Sequence, residues 1–385
     1  METITILKGP DRVRQRPAIL FGSDGLDGAV AALRTLLDIF IAEAAVGQSA
    51  GIDVTLHGDD SVSVHSHDRG FLLEDTLVDG KPAWHRAFCE LYMRPREELL
   101  PIQAHLLRNG LYGETVLPSP LYAPDTDPYF DLCCVQYASA FMQVEAIRDG
   151  MKKTLGFEKG YCTSPLTAAA SDEPTGTRIR FAPDPAVFSA VRLPADAIAA
   201  CLQEAAVTIP GLTCRLRDER DGKACTYHYP CGLRDYAAAA FSTALPFYEK
   251  ALEAEGKDRY NKRPSTARVK LIVGFGENAP EPTCFHNYRT LAKGGQHLTA
   301  VKKQIHKHLN HRFDASYTLA EVADRLFIAV ETACTANASV YADARRQALT
   351  NRMVADMAED LVNEDFGYYL KQNHDAVAAL LKRKR

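Results

Sequence analysis

Within "SVSVHSHDRGFLLED" (residues 61–75) two histidines, His65 and His67, run directly into Asp68-Arg69-Gly70, and His57 lies one hairpin arm upstream. At the two-residue period of a strand His65 and His67 share a face, so with His57 they make a first candidate ligand set for a divalent metal. Solvated or hydrogen-bonded histidines give the same pattern, and the expectation is no metal. Cys225, His228 and Cys231 form a second set. A closed zinc site needs four donors, and with no fourth ligand nearby an ordinary hairpin is expected there. The third candidate is basic: Lys302, Lys303, Lys307 and Arg312 in "VKKQIHKHLNHR", joined further on by Arg345, Arg346 and Arg352. Such residues suit a sequence-independent, salt-sensitive contact with double-stranded DNA, and a solvated helix face explains them about as well.

The chain that must position these groups has 385 residues and 46% hydrophobic content, enough for two domains with a sizeable core. A formal net charge of -4 excludes a strongly basic nucleic-acid coat, so any DNA contact has to be a local patch. No apolar run approaches the roughly 20 residues of a membrane helix, and the N-terminus lacks a signal-peptide core. The expectation is a cytoplasmic protein, with association to the nucleoid as an option. The ten cysteines include no CxxC pair and are read as reduced, mostly buried thiols.

Apolar periodicity in "DGLDGAVAALRTLLDIFIAEAAVG", through Leu33, Leu36, Leu37, Phe40 and Ile41, predicts a long helix with one buried face. "GIDVTLHGDDSVSVHSH" predicts a hairpin around Gly58-Asp59-Asp60. From Leu73 to about Gly150 prolines dominate and a loop-rich segment with one or two short helices is expected. "TGTRIRFAPD" reads as a strand, and residues 213–233 as a hairpin around Asp221-Gly222. Beyond lie an Ala-rich helix over 235–255, a strand "RVKLIVGF", a helix opened by Gly294-Gly295, and a strand "DRLFIAVETA", taken together as a βαβ-like unit. A long polar helix is expected from about Tyr341, interrupted near Asn373 and ending in a basic tail. The fold class is therefore α+β, with domains at 1–232 and 233–340 and a C-terminal helix and tail at 341–385.

Five stretches carry a resemblance in order: "LKGPDRVRQRPAILFGS" (7–23), "VTLHGDDSVSV" (54–64), "TGTRIRF" (175–181), "RLRDERDGK" (215–223) and "GGQHL" (294–298). The chain resembles the ATPase-plus-transducer half of DNA gyrase B and its type IIA topoisomerase relatives, members of the GHKL superfamily, without the TOPRIM module and tail. The resemblance implies a GHKL (Bergerat-type) α/β sandwich, a βαβ transducer domain and a long C-terminal helix. In that family the first helix supplies a Glu that activates water and an Asn, four residues on, that helps hold Mg²⁺. Aligned through Asp38 and Glu43, those positions are Thr35 and Ile39; a hydroxyl is too weak a base near neutral pH and isoleucine offers the ion no oxygen. At the adenine-binding turn Ser66 replaces the carboxylate and Asp68 replaces a glycine, with Arg69 and Gly70 kept; both changes oppose ATP. The glycine-rich lid falls at "DTDPYFDLCC" (125–134), which has no glycine to cradle phosphates. Thr177 matches a nucleotide-pocket position, and Arg346 aligns with the lysine that senses the γ-phosphate, though its forked cation differs from a point charge.

What the resemblance implies is a degenerate pocket and a pseudoenzyme without cofactor, working by binding. Its partners would be DNA gyrase or topoisomerase IV subunits, or DNA, and it would act as a homodimer. ATP and Mg²⁺ enter only under the alternative of a divergent ATPase subunit completed by a separate chain. A stand-alone, sequence-independent DNA-binding module is the third option.

Overall fold

The structure, a computed structural model, describes residues 9–74, 81–91, 132–257, 264–314, 316–334, 340–342 and 347–382. The described residues form two compact units, one reaching residue 203 and including 212–228, the other comprising 204–211 and everything from Tyr229 onward.

The first unit opens with two short helices, α1 (Asp11–Arg14) and α2 (Pro17–Phe21), and the long helix α3 (Leu26–Ala45). Strands β1 (Gly51–Leu56) and β2 (Val62–Ser66) follow, then helices α4 (Ala83–Cys89) and α5 (Leu132–Tyr137). Next come β3 (Ser139–Arg148), β4 (Met151–Glu158), β5 (Tyr161–Ala170), β6 (Gly176–Pro183), helix α6 (Ala195–Thr208), whose residues from Glu204 on belong to the second unit, β7 (Thr213–Asp218) and β8 (Lys223–His228). The strands make one eight-stranded mixed sheet in the order β5-β4-β3-β6-β2-β1-β7-β8. Among the described residues only the β1–β7 pair of this sheet runs parallel. Alternation decides which face is dry: Ile52, Val54, Leu56, Val62, Val64, Ile179 and Phe181 are buried, while the residues between them carry charge or hydroxyls. On α3 the predicted stripe of Leu33, Leu36, Leu37 and Phe40 is fully buried, and Phe40 stacks on Phe71 at 6.1 Å between ring centroids.

The second unit adds α7 (Leu233–Ala240), strands β9 (Tyr248–Lys257), β10 (Pro264–Phe275), β11 (Thr283–His286) and β12 (Arg289–Thr290), helices α8 (Gln296–Phe313) and α9 (Leu319–Val322), β13 (Leu326–Cys334), α10 (Arg352–Gln372) and α11 (His374–Lys382). Its sheet runs β12-β11-β13-β10-β9. Strand β13 is buried along its whole length because both faces are covered. Ile328 and Val330 face a core shared with Val301, Ile305, Leu361 and Phe366 of α8 and α10. Phe327 and Ala329 face the opposite core with Val207, Leu233, Ala237 and Phe241.

Four expectations need correction. The segment before Gly150 holds a strand besides short helices, because β3 occupies Ser139–Arg148 and pairs on both sides. The Ala-rich stretch 235–255 is not one helix; it stops at Ala240, and residues from Tyr248 pair with β10. The expected βαβ unit joins the wrong strands: β10 and β13 are antiparallel neighbours, and the parallel pair across α8 is β11 and β13. The C-terminal helix begins at Arg352 rather than near Tyr341, with the Asn351 side chain accepting from the Val354 amide as its cap. The break near Asn373 is where α10 ends.

Glu331 and His297 are among the titratable groups buried in the second unit. Glu331, 3% exposed, is held on β13 by Lys270 at 3.1 Å and Arg268 at 3.4 Å from the neighbouring strand. Removing one partner of a buried pair leaves the other charges uncompensated, so Glu331→Ala is expected to cost about 3 kcal/mol in urea denaturation. His297, in the first turn of α8, is 1% exposed and neither ring nitrogen finds a hydrogen-bond partner. Burial, helped by neighbouring His286, pushes it down to about 3. The unfolded chain therefore binds a proton that the folded chain refuses. Stability is complete above the unfolded value near 6.5 and is lost as pH falls from there toward 3, by about 2 kcal/mol at pH 5. Denaturation midpoints at pH 7 and pH 5 should differ in the wild type and differ less in His297→Phe.

Candidate functional site

Helix α3 carries Thr35, Ile39 and Glu43 at successive four-residue steps, so they line one side of the helix. The Thr35 hydroxyl donates to the Ala31 carbonyl at 3.0 Å, the back-bonding that a mid-helix threonine adopts when it has no other acceptor. Ile39 has no exposed surface. Asp38 is half-buried, and Glu43 accepts from the Arg69 guanidinium at 3.1 Å. The position expected to activate water thus has a hydroxyl committed to its own helix, and the position expected to hold a cation is core.

Strand β2 delivers the turn. Ser66, fully buried on the dry face, has its hydroxyl 3.2 Å from that of Ser49. One residue past His67 the chain bends, and Asp68, 5% exposed, accepts from the Gly70 amide and from the Thr177 hydroxyl, both at 2.9 Å. Gly70 has φ +74°, and a Cβ there would meet the Ile147 carbonyl oxygen at 2.5 Å, so two independent constraints require glycine. On sequence grounds Asp68 has only a repulsive role toward ATP. The structure also makes it the partner of Thr177 across 109 residues of chain, a pairing set by the β2–β6 register, which puts Thr177 opposite Ser66. Both retained pocket residues are therefore turned onto the protein itself, Arg69 onto Glu43 and Thr177 onto Asp68.

The remaining expectations are placed as follows. Residues 125–131 of the lid lie outside the described residues, while Leu132, Cys133 and Cys134 open α5 and are buried. Arg345 and Arg346 also lie outside them. On α8, Lys303, Lys307 and Arg312 are exposed and Lys302 half-buried. They do not form one stripe: at 100° per residue Arg312 lies across the helix from Lys303. Lys302 lines a cavity of about 250 Å³ with Pro280, Glu281 and Leu319. Lys303 and Arg352 share an open groove of about 460 Å³ with Asp356 and Glu359, and Arg352 is paired with Asp356 at 2.8 Å. Acid and base alternate there, which weakens any single-sign field.

The histidines separate. His57 bonds Glu219 at 2.8 Å and Ser63 at 2.7 Å. His65 and His67 lie with ring centroids 4.4 Å apart on the solvated sheet face, and the third member is Asp53, which sequence reasoning missed. The signal was present in the register, since Asp53 on β1 stands directly opposite His65. His228 bonds Thr213 at 3.1 Å.

With a long helix packed on a mixed sheet, a turn joining the two, and a second sheet backed by α8 and α10, the fold is the GHKL-type α/β sandwich followed by a transducer-like unit that the sequence led us to expect. The DNA gyrase B family model matches residues 232–384. The DNA gyrase B protein of Thermus thermophilus is 30% identical over 80% of this chain and 45% of its own length. The type 2 topoisomerase B-subunit of Aquifex aeolicus is 23% identical over 99% of this chain and 46% of its own. The chain spans about half the length of these curated relatives. Among solved structures, the 43K ATPase domain of Thermus thermophilus gyrase B, in complex with an aminocoumarin, superposes with a TM-score of 0.66 at 24% identity over 98% of this chain and 94% of that one. The gyrase B-subunit of Myxococcus xanthus gives 0.71 at 19% identity, covering 97% and 99%. By these matches the chain is similar to the ATPase-transducer region of gyrase B, and its fold is that of those structures.

Thr177→Val removes the hydroxyl that reaches Asp68 from β6. It should lower stability by about 1–3 kcal/mol in chemical denaturation, the range for a buried acceptor losing a partner, with no effect on the second unit's own transition.

Proposed function

We propose that this chain is a catalytically inactive gyrase B-like paralogue that acts by binding, as a regulator of DNA topology in the cytoplasm and at the nucleoid. Its partners are DNA gyrase or topoisomerase IV subunits, reached through the gyrase-like scaffold, and it works as a homodimer without ATP. The observation that carries the reading is the pair Thr35 and Ile39: one hydroxyl bonded to Ala31 at 3.0 Å, one side chain with no exposure. Phosphoryl transfer of the family's kind depends on positioning water and neutralising charge with Mg²⁺, and neither side chain supplies that. The inward pairings of Arg69 and Thr177 support it, because each retained residue already has a partner in the chain.

A second reading, a divergent ATPase subunit completed by another chain, draws on one observation. The Asp68 carboxylate beside Thr177 gives the turn an anionic acceptor again, two residues from the one lost at Ser66. Nucleotide binding without hydrolysis is compatible with both readings; turnover is not. The expected result is phosphate release from Mg·ATP no faster than the protein-free blank, with or without DNA. Turnover that disappears in Asp38→Asn or Glu43→Gln would overturn the proposal.

Pull-down against gyrase and topoisomerase IV subunits tests the partners separately; retention of at least one is expected, and retention of neither counts against a regulator. DNA contact through Lys302, Lys303, Lys307, Arg312 and Arg352, together with Arg345 and Arg346, predicts a mobility shift at about 50 mM salt that fades as salt rises. A shift absent at low salt removes DNA as a partner.

A further inference from the structure

We propose that Asp53, His65 and His67 form a binding site for a single divalent transition-metal ion of the Zn²⁺ class on the solvated face of the eight-stranded sheet. One ligand atom from each lies within 4.8 Å of the others, and no other group of three such residues does so among the described residues. The constellation is fixed by sheet geometry rather than by flexible loops. His65 and His67 share a face of one strand at period two, and Asp53 is the cross-strand neighbour of His65.

The electrostatic preparation is that of a ligand set. Asp53 is gripped at one carboxylate oxygen, Oδ1, by Arg215 at 3.0 Å, which orients the other, Oδ2, toward the His67 ring nitrogen Nε2 at 2.9 Å. Two donors bound to a tetrahedral ion at roughly 2.0–2.1 Å stand about 3.3 Å apart, so the ion enters between these two atoms with little movement. The partner on Oδ1 then plays the outer role that ligating carboxylates commonly show. His65 completes the set. Its Nε2 is buried with no hydrogen-bond partner, a condition that costs free energy until something accepts or binds there.

Metal ligation requires neutral imidazole. Arg178 stands opposite His65 on β6. The Arg178 charge is met by Glu173 and, at 3.8 Å, by Glu145, which limits its repulsion of a cation. Two imidazoles and one carboxylate select Zn²⁺, Co²⁺, Ni²⁺ or Cu²⁺ over Mg²⁺ and Ca²⁺, which prefer oxygen. Three protein donors leave at least one position open to water. Because β2 leads within two residues to Asp68, a bound ion would cross-link β1 and β2 at the root of the turn that carries the candidate nucleotide pocket.

The test uses the full chain with Zn²⁺ and Co²⁺ salts, reading calorimetry, melting temperature and the cobalt absorption spectrum. Expected are one bound ion per chain, a rise in melting temperature, and a cobalt spectrum without the thiolate charge-transfer band that any of the ten cysteines would give. Asp53→Asn, His65→Gln and His67→Gln, all on the solvated face, should each weaken binding by at least about tenfold while Mg²⁺ has no effect on any of them. Unchanged affinity in these variants, a thiolate band, or no binding by the wild type overturns the site. The wild-type cobalt spectrum decides the question even if a variant fails to fold.

Discussion

A carboxylate with 5% of its surface exposed must be met by donors, or the turn that carries it does not close. Asp68 is met by the Gly70 amide within the turn and by the Thr177 hydroxyl from β6. The first bond shapes the bend, and the second ties it to β6, the strand beside β2 in the sheet. The rest of the site depends on that closure. Gly70 is pressed against the Ile147 carbonyl with a backbone conformation that suits glycine, and Arg69 between them is aimed at Glu43 on α3. One buried anion therefore sits where the β2–β6 register, the path of the chain out of β2 and the link from sheet to helix meet.

How much of this was legible in the sequence differs by element, for physical reasons. Strands β2 and β6 alternate because one face is dry and one wet, so both could be read, as could α3 with its four-residue apolar stripe. Strand β5 could not: it is an edge strand exposed at nearly every position, with no alternation to find. Over 235–255 alanine-rich composition favours helix, yet from Tyr248 onward pairing with β10 outweighs that weak preference. The parallel partner of β13 was missed because β11 is only four residues long. Of the candidate site, the identities at Thr35, Ile39, Ser66 and Asp68 were visible, since they are identities. Their pairings were not, because Asp68 with Thr177 and His65 with Asp53 are facts of strand register, which no local pattern encodes.

Thr35, Ile39, Ser66 and Asp68 share a physical character that concerns stability as much as chemistry. A pocket built for a charged ligand holds polar groups whose partners arrive with the ligand, and this is one source of the trade between stability and activity. Here the Thr35 hydroxyl bonds its own helix, Ile39 joins the core, Ser66 pairs with Ser49, and Asp68 with Thr177. Each of these side chains is satisfied by the protein itself. Ile39 is the clearest case: burying an isoleucine side chain contributes about 1.5–3 kcal/mol relative to leaving it exposed, where an asparagine would have to find buried partners for its amide. With all four side chains satisfied from within, the turn, the sheet and the long helix are held by contacts that the chain supplies itself.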